Sequence, residues 1–178
     1  MDYITVAQTG NAVDFGDLSA TSNSPLIANS STRGLIGGVG SANVIDFITI
    51  ATTGNAADFG DLTVARSGGA VGPLGNSIRG IFVSGYSGGD LNVLDFVTIA
   101  TKGNATDFGD LYFTVSQTGA ASSPTRGVIM GGIGQSPRAA QNVSQKIEIL
   151  TTGNSVDFGD VTTARNAGGG ISNGHGGL

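Results

Sequence analysis

Apolar and polar residues alternate in register at four places along the chain. Ile4/Val6, Ile48/Ile50, Val97/Ile99 and Ile147/Ile149 each flank one polar residue, Thr5, Thr49, Thr98 or Glu148. β-Branched residues spaced by two predict a half-buried strand, because successive side chains on a strand point to opposite faces. Tyr3, Phe47 and Phe96 precede three of these segments, each after an Asp, and the fourth breaks the pattern with Gln145-Lys146. That repeat is expected to face a different environment, as a terminal or interface unit.

A nine-residue phrase follows each segment, at Gly10–Leu18, Gly54–Leu62, Gly103–Leu111 and Gly153–Val161, with starts 44, 49 and 50 residues apart. Self-similarity at such a period points to a propeller or an array. The phrase reads as a turn feeding another strand. Its Asn (Asn11, Asn55, Asn104, Asn154) can bond its own backbone in the turn. Phe15, Phe59, Phe108 and Phe158 are the one bulky residue in each copy and are expected to be core plugs. The flanking carboxylates, Asp14 and Asp17, Asp58 and Asp61, Asp107 and Asp110, and Asp157 and Asp160, are expected to cap turns by accepting from backbone N–H groups. A strand over Leu62–Arg66 should follow, echoed by Val161–Arg165. A further buried strand is expected at Arg33–Gly38, Arg79–Gly85 and Arg126–Gly132. The stretches 19–31, 67–77 and 116–123, rich in Ser, Gly, Ala and Thr, read as surface loops with at most a weak outer strand. No window shows helical periodicity, so residues 1–178 are expected to form one all-β repeat domain.

Composition agrees with this reading. The 178 residues include 31 glycines and no Trp, and only 12% are charged, about half the usual share. Low charge argues against disorder, which pairs low hydrophobicity with high net charge. The net charge is −5, and the eight Lys and Arg are scattered, so no cluster exists to displace counterions from a nucleic acid. The absence of Cys excludes disulfides and thiolate chemistry and leaves the redox compartment undetermined. No apolar run approaches membrane-spanning length, and Met1-Asp2-Tyr3 is not a basic-then-apolar leader, so a soluble protein without membrane insertion is expected.

Little catalytic chemistry can be assembled from these residues. Asp-Phe-Gly matches the magnesium-binding tripeptide of kinases, but the chain has no His-Arg-Asp loop, and a catalytic motif would not recur four times. The Asn and Asp residues of each phrase are turn caps or weak Ca²⁺ candidates; their spacing does not follow the EF-hand loop, and no cofactor is expected. Arg33, Arg79 and Arg126 stand beside repeated carboxylates and are expected to pair with them between strands or blades. His175 is the only His, so no Ser/His/Asp triad can form, and Gly37-Gly38-Val39-Gly40 reads as a turn because no helix follows it. Asn29-Ser30-Ser31, Asn104-Ala105-Thr106 and Asn142-Val143-Ser144 match the glycosylation acceptor, which has no use without export.

Arg-Gly-apolar-apolar-Gly-Gly, the Ile-Asp-Phe-Ile-Thr-Ile strand, the turn and a last segment ending Ala-Arg together resemble a kelch repeat. The resemblance implies a β-propeller of about four short blades, with Phe59 and its counterparts in place of the usual blade Trp. The chain opens midway through a unit and ends near an Arg-Gly position at His175-Gly176. Two arrangements remain open: a ring closed by pairing N- and C-terminal strands, and an open array that closes by oligomerising. The wording Thr-Thr-Gly-Asn-Ala-Ala-Asp-Phe-Gly-Asp-Leu-Thr-Val-Ala-Arg, with Ser-Pro-Thr-Arg-Gly, is similar to repeats in structural proteins of marine tailed phages such as cyanophages. That resemblance implies a non-enzymatic capsid-decoration or tail/fibre protein, made in the host cytoplasm and carried on the virion exterior. Its expected partners are capsid or tail proteins, further copies of itself, and a host-surface glycan or protein. The rival readings are a freestanding lectin-like propeller with equivalent pockets in its repeats, and a polysaccharide-degrading enzyme. The enzyme would need two carboxylates in different environments, and the repeated Asp pairs look alike.

Overall fold

The computed structural model describes residues 1–70, 72–134, 137–166 and 168–170. Within them the chain is all-β apart from one 3-10 turn at Val39–Ser41, and no helix is long and apolar enough to cross a membrane. Strands β1 (Asp2–Tyr3) and β2 (Val13–Asp14) form a short ribbon. Two four-stranded antiparallel meanders follow. The first comprises β3 (Leu26–Asn29), β4 (Arg33–Gly37), β5 (Val44–Thr49) and β6 (Ala57–Asp61). The second comprises β7 (Leu74–Gly75), β8 (Arg79–Val83), β9 (Val93–Thr98) and β10 (Thr106–Asp110). The third repeats the plan with β12 (Gly119–Ser122), β13 (Arg126–Met130), β15 (Ala139–Glu148) and β16 (Val156–Arg165). At its margin, β11 (Val115–Ser116) pairs with β14 (Ile133–Gly134).

The register is the same in all three sheets: Arg33 faces Thr49, Arg79 faces Thr98, and Arg126 faces Glu148. Each sheet also carries one extra residue, the phrase's Phe, where Asp58 and Gly60 oppose consecutive residues Asp46 and Ile45. A bulge of this kind bends the strand and re-aims one side chain. Here it turns Phe59 into the space between sheets.

The core lies between successive sheets. Leu26, Leu35, Ile45 and Phe59 of the first meet Phe82, Val97 and Ile99 of the second. Ile81, Val83, Leu94 and Phe108 of the second meet Ala120, Ile129, Ile147 and Ile149 of the third. On β8, Phe82 faces one core while Ile81 and Val83 face the other. This is period-two alternation with both faces buried, worth roughly 1.5–3 kcal/mol for each large side chain. Together the sheets curl as a half-barrel, an arrangement compatible with a propeller.

Two expectations are corrected here, and a third falls partly outside the described residues. Stretches 19–31, 67–77 and 116–123 do hold a short outer strand each, β3, β7 and β12 at the sheet edges, but they are not surface loops, because Leu26, Ala28, Leu74 and Ala120 are buried. Strand β3 touches β7 and β8, and β7 touches β12, and small residues such as Ala28 and Ala120 permit that approach. Leu62–Arg66 is not a strand: it leaves the sheet after Asp61 to bond with the next repeat, whereas Val161–Arg165 stays within β16. The proposed pairing of terminal strands is not seen among the described residues. There β1 pairs with β2 and β16 with β15, while His175 and the rest of 171–178 lie outside them.

The second and third sheets are also tied at their margin. Arg138 reaches Asp90 through Nε (2.8 Å) and a second guanidinium nitrogen (2.9 Å), and Ser116 Oγ donates to the same carboxylate at 2.6 Å. Burial works to raise the Asp90 carboxyl, but the bonds from Arg138 and Ser116 and the Arg138 charge outweigh it and hold the group below its ordinary 3.8. A depressed carboxyl stabilises the fold above its unfolded value and loses that contribution as pH falls through its folded value. Melting temperatures measured from pH 7 down to pH 2 should therefore show a shallower acid decline for Asp90→Asn than for the parent chain. Identical acid limbs would show that this pair carries no linkage.

Candidate functional site

Three junctions join consecutive repeats, and the phrase builds each of them. At the first, Gly54 N–H donates to Phe15 O (2.7 Å) and Ala56 N–H to Asp17 O (2.8 Å), while Asp17 N–H donates to Asn55 Oδ1 (3.0 Å). At the second, Gly103, Ala105 and Asn104 grip Phe59 and Asp61 in the same way, at 2.9, 2.7 and 3.1 Å. At the third, Gly153, Ser155 and Asn154 grip Phe108 and Asp110 at 2.7, 2.8 and 3.0 Å. Each Asn thus caps the preceding repeat and not its own turn. The glycine of Asp-Phe-Gly-Asp has a positive φ (+138° at Gly16, +151° at Gly60), and a Cβ there would collide with the carbonyl of the next repeat's Gly54 or Gly103. Close approach and backbone shape both demand glycine at this position.

A second layer of contacts lies inside each junction. Asp46 Oδ2 accepts from Ser19 N–H, Asp95 from Thr63 N–H and Oγ1, and Gln145 Oε1 from Tyr112 N–H. Gln145 therefore keeps the acceptor of the two Asp residues while dropping the charge. At the middle junction Arg66 joins Asp95 at 2.7 Å with both side chains fully buried, and its other donors reach Ser84 O and Val64 O. The Arg66 position becomes Val115 at the third junction, where Gln145 is neutral too, and Ser22 at the first, where Asp46 Oδ1 is buried without a partner.

The residues singled out in the sequence fall as follows. Phe15, Phe59 and Phe108 are buried, each edge-to-face against Tyr3, Phe47 or Phe96. Phe158 is not a plug: it is 52% exposed, because Lys146 stands where the other repeats have the aromatic partner and no further sheet packs on it among the described residues. Asp14, Asp107 and Asp157 accept from the N–H two residues on, at Gly16, Gly109 and Gly159, and Asp58 makes no such bond. Asp17, Asp61 and Asp110 enter through their backbone N–H, and not through the carboxylates expected to cap; Asp160 and Asn11 have no counterpart opposite them. Arg33 and Arg79 do bridge neighbouring sheets, but to carbonyls, not carboxylates. Arg33 reaches Ile99 O at 2.8 Å over the Phe47 ring, and Arg79 reaches Ile149 O at 3.0 Å over Phe96. The carboxylates of Asp46 and Asp95 are already engaged on the preceding repeat. Arg126 pairs within its own sheet, 3.6 Å from a half-exposed Glu148. Among the described residues no three His, Asp or Glu gather as metal ligands.

Concave surfaces lie beside the Gly-Asn turns of three repeats, and another lies where three further turns meet. The turns at Ser30–Thr32, Asn76–Ile78 and Ser123–Thr125 converge on a cup of about 840 Å³, with Leu150 and Pro73 in its wall and, among the described residues, no titratable side chain in its lining. Each turn is closed by its first residue: Ser30 Oγ and Ser123 Oγ accept from Arg33 and Arg126 N–H, and Asn76 Oδ1 accepts from Ile78 and Arg79. Asn76 also donates across to Pro124 O at 3.0 Å, which fixes two turns together. Sequence reading missed this cup and the Arg66–Asp95 pair. The signal for the cup was present as a thrice-repeated Ser/Asn three residues before Arg-Gly. No known family model matches the chain, and no curated protein matches it.

The middle junction can be tested by copying the third. Arg66→Val or Asp95→Gln alone leaves a buried partner uncompensated and should cost about 3–5 kcal/mol in chemical denaturation. The double substitution Arg66→Val with Asp95→Gln reproduces the neutral Val115/Gln145 pair and should recover most of that loss. Simple additivity of the two single effects would refute the equivalence of the junctions.

Proposed function

We propose that this chain is a non-enzymatic structural module of a tailed-phage particle, a capsid decoration or a tail or fibre appendage on the virion exterior. Its sheets are read as blades of a kelch-like β-propeller, and its partners as capsid or tail proteins and further copies of itself. The observation that carries this reading is the use made of the repeated phrase. Its amides, carbonyls and Asn side chains go into holding one repeat on the next, and they leave no convergent acid, base or nucleophile. That is the behaviour of a building block, and the phrase's wording resembles phage structural repeats. No cofactor enters the proposal. Mass spectrometry of gradient-purified virions should find the protein at a fixed copy number per particle. Detection in infected-cell lysate alone would remove the proposal.

The cup favours a second reading, glycan binding. Asn, Ser and Thr hydroxyls and amides from three repeats surround a site with an apolar wall, which suits a sugar's mixed polar and apolar faces. Under this reading the chain acts as a freestanding lectin-like module, or as the host-contacting part of the virion. A glycan array should give hits that Ser77→Arg abolishes by crowding the cup. An empty array at high protein concentration would discard this reading and leave the structural one standing.

A further inference from the structure

We infer that the two open ends of the repeat stack are halves of a fourth junction, and that its occupant is a second copy of this chain bound head to tail. The inference rests on the junction geometry and stands independently of any virion role. Each internal junction has a donor half, the Gly-Asn turn of the later repeat, and an acceptor half, the Asp-Phe-Gly-Asp strand of the earlier one. Among the described residues the first phrase has only its donor half free, and the last has only its acceptor half free. Gly10 and Asn11 are exposed and make none of the junction bonds found at Gly54, Gly103 and Gly153. Phe158 is 52% exposed where Phe59 and Phe108 are 2% exposed, and the space a Cβ would take on Gly159 is empty.

The second layer of contacts is divided between the ends in the same way. Asp2 stands at the position of Asp46 and Asp95, and Arg165 at the position of Arg66. Both are exposed among the described residues, and together they would rebuild the buried pair of the middle junction. Val6 holds the place of Ile99 and Ile149, whose carbonyls receive Arg33 and Arg79, and it is 94% exposed. Arg126, the third member of that series, has only the loose ion pair with Glu148 and is half-exposed. Ile4 is 64% exposed where its counterpart Val97 is 3% exposed. Every group left over at one end has its partner left over at the other. In the docked pair, Gly10 N–H would donate to Phe158 O and Asp160 N–H to Asn11 Oδ1, and Phe158 would seat against Ile4. An interface made of two different surfaces is heterologous, so it propagates until it closes a ring or extends a filament.

Two blocked variants of the full chain test this, since all substituted side chains are exposed and should leave each chain's own melting unchanged. The head is blocked by Ile4→Asp with Asn11→Ala, and the tail by Phe158→Asp with Arg165→Glu. Sedimentation velocity should show the parent chain assembling as concentration rises, and each variant alone should need at least about tenfold more protein to do so. An equimolar mixture of the two variants should form one-to-one dimers and nothing larger, because one intact head meets one intact tail. A parent chain that stays monomeric at every concentration, as it would if the two ends closed on each other within one chain, overturns the inference. So does a variant that self-associates as well as the parent, or a mixture that does not pair.

Discussion

The structure depends on a backbone grip: two N–H groups and one side-chain amide of each repeat close on the bulged strand of the repeat before. Hydrogen bonds of this kind contribute only about 1 kcal/mol each after exchange with water. Their value here is geometric. They hold Phe15, Phe59 and Phe108 at one depth relative to the following sheet, and the two inter-sheet cores follow from that placement. A glycine at the centre of the grip is required by the carbonyl lying directly over it. The aromatic beside that glycine is turned inward because the bulge gives the strand one residue more than its partner.

Repeat proteins share stability between the unit and its interface with the next unit. In this chain the interface contribution is unusually prominent. No single meander encloses a core of its own: Leu35 and Phe59 are buried only because Phe82, Val97 and Ile99 arrive from the next sheet. Among the described residues the third meander has a partner on one side alone. That explains why its phrase carries an exposed Phe, why Lys146 replaces the aromatic that would stack on it, and why its Val161–Arg165 segment stays in β16 alongside β15.

Much of the architecture was legible in the residues. The period, the alternating Ile-x-Ile segments and the Arg-Gly strands locate β4, β5, β6 and their counterparts, and the break at Gln145-Lys146 marks the repeat that differs. The strands β3, β7 and β12 were not legible. Each is two to four residues long and buries one or two side chains, Leu26 and Ala28, Leu74, or Ala120, which is too short a run to show period-two alternation. The direction of the Asn contacts was hidden for a different reason. An Asn beside Gly satisfies a local turn as readily as a neighbouring repeat, and pattern alone cannot separate the two. Arg66 read as the end of a strand because its partner, Asp95, lies 29 residues on.

The three junctions look alike in backbone but differ in the residues they carry at two equivalent positions: half-buried Ser22 and buried Asp46, Arg66 and Asp95, and Val115 and Gln145. Chains built from near-identical units are prone to misassembly, in which one unit docks on the wrong neighbour. A shift of one repeat here would set Arg66 against Gln145 and leave a charge in the interior with nothing to balance it. Such a mismatch costs several kcal/mol, more than the backbone bonds of one junction return. The variable residue pair therefore acts as a key that lets each sheet recognise its own successor while the folding chain is still choosing among similar surfaces.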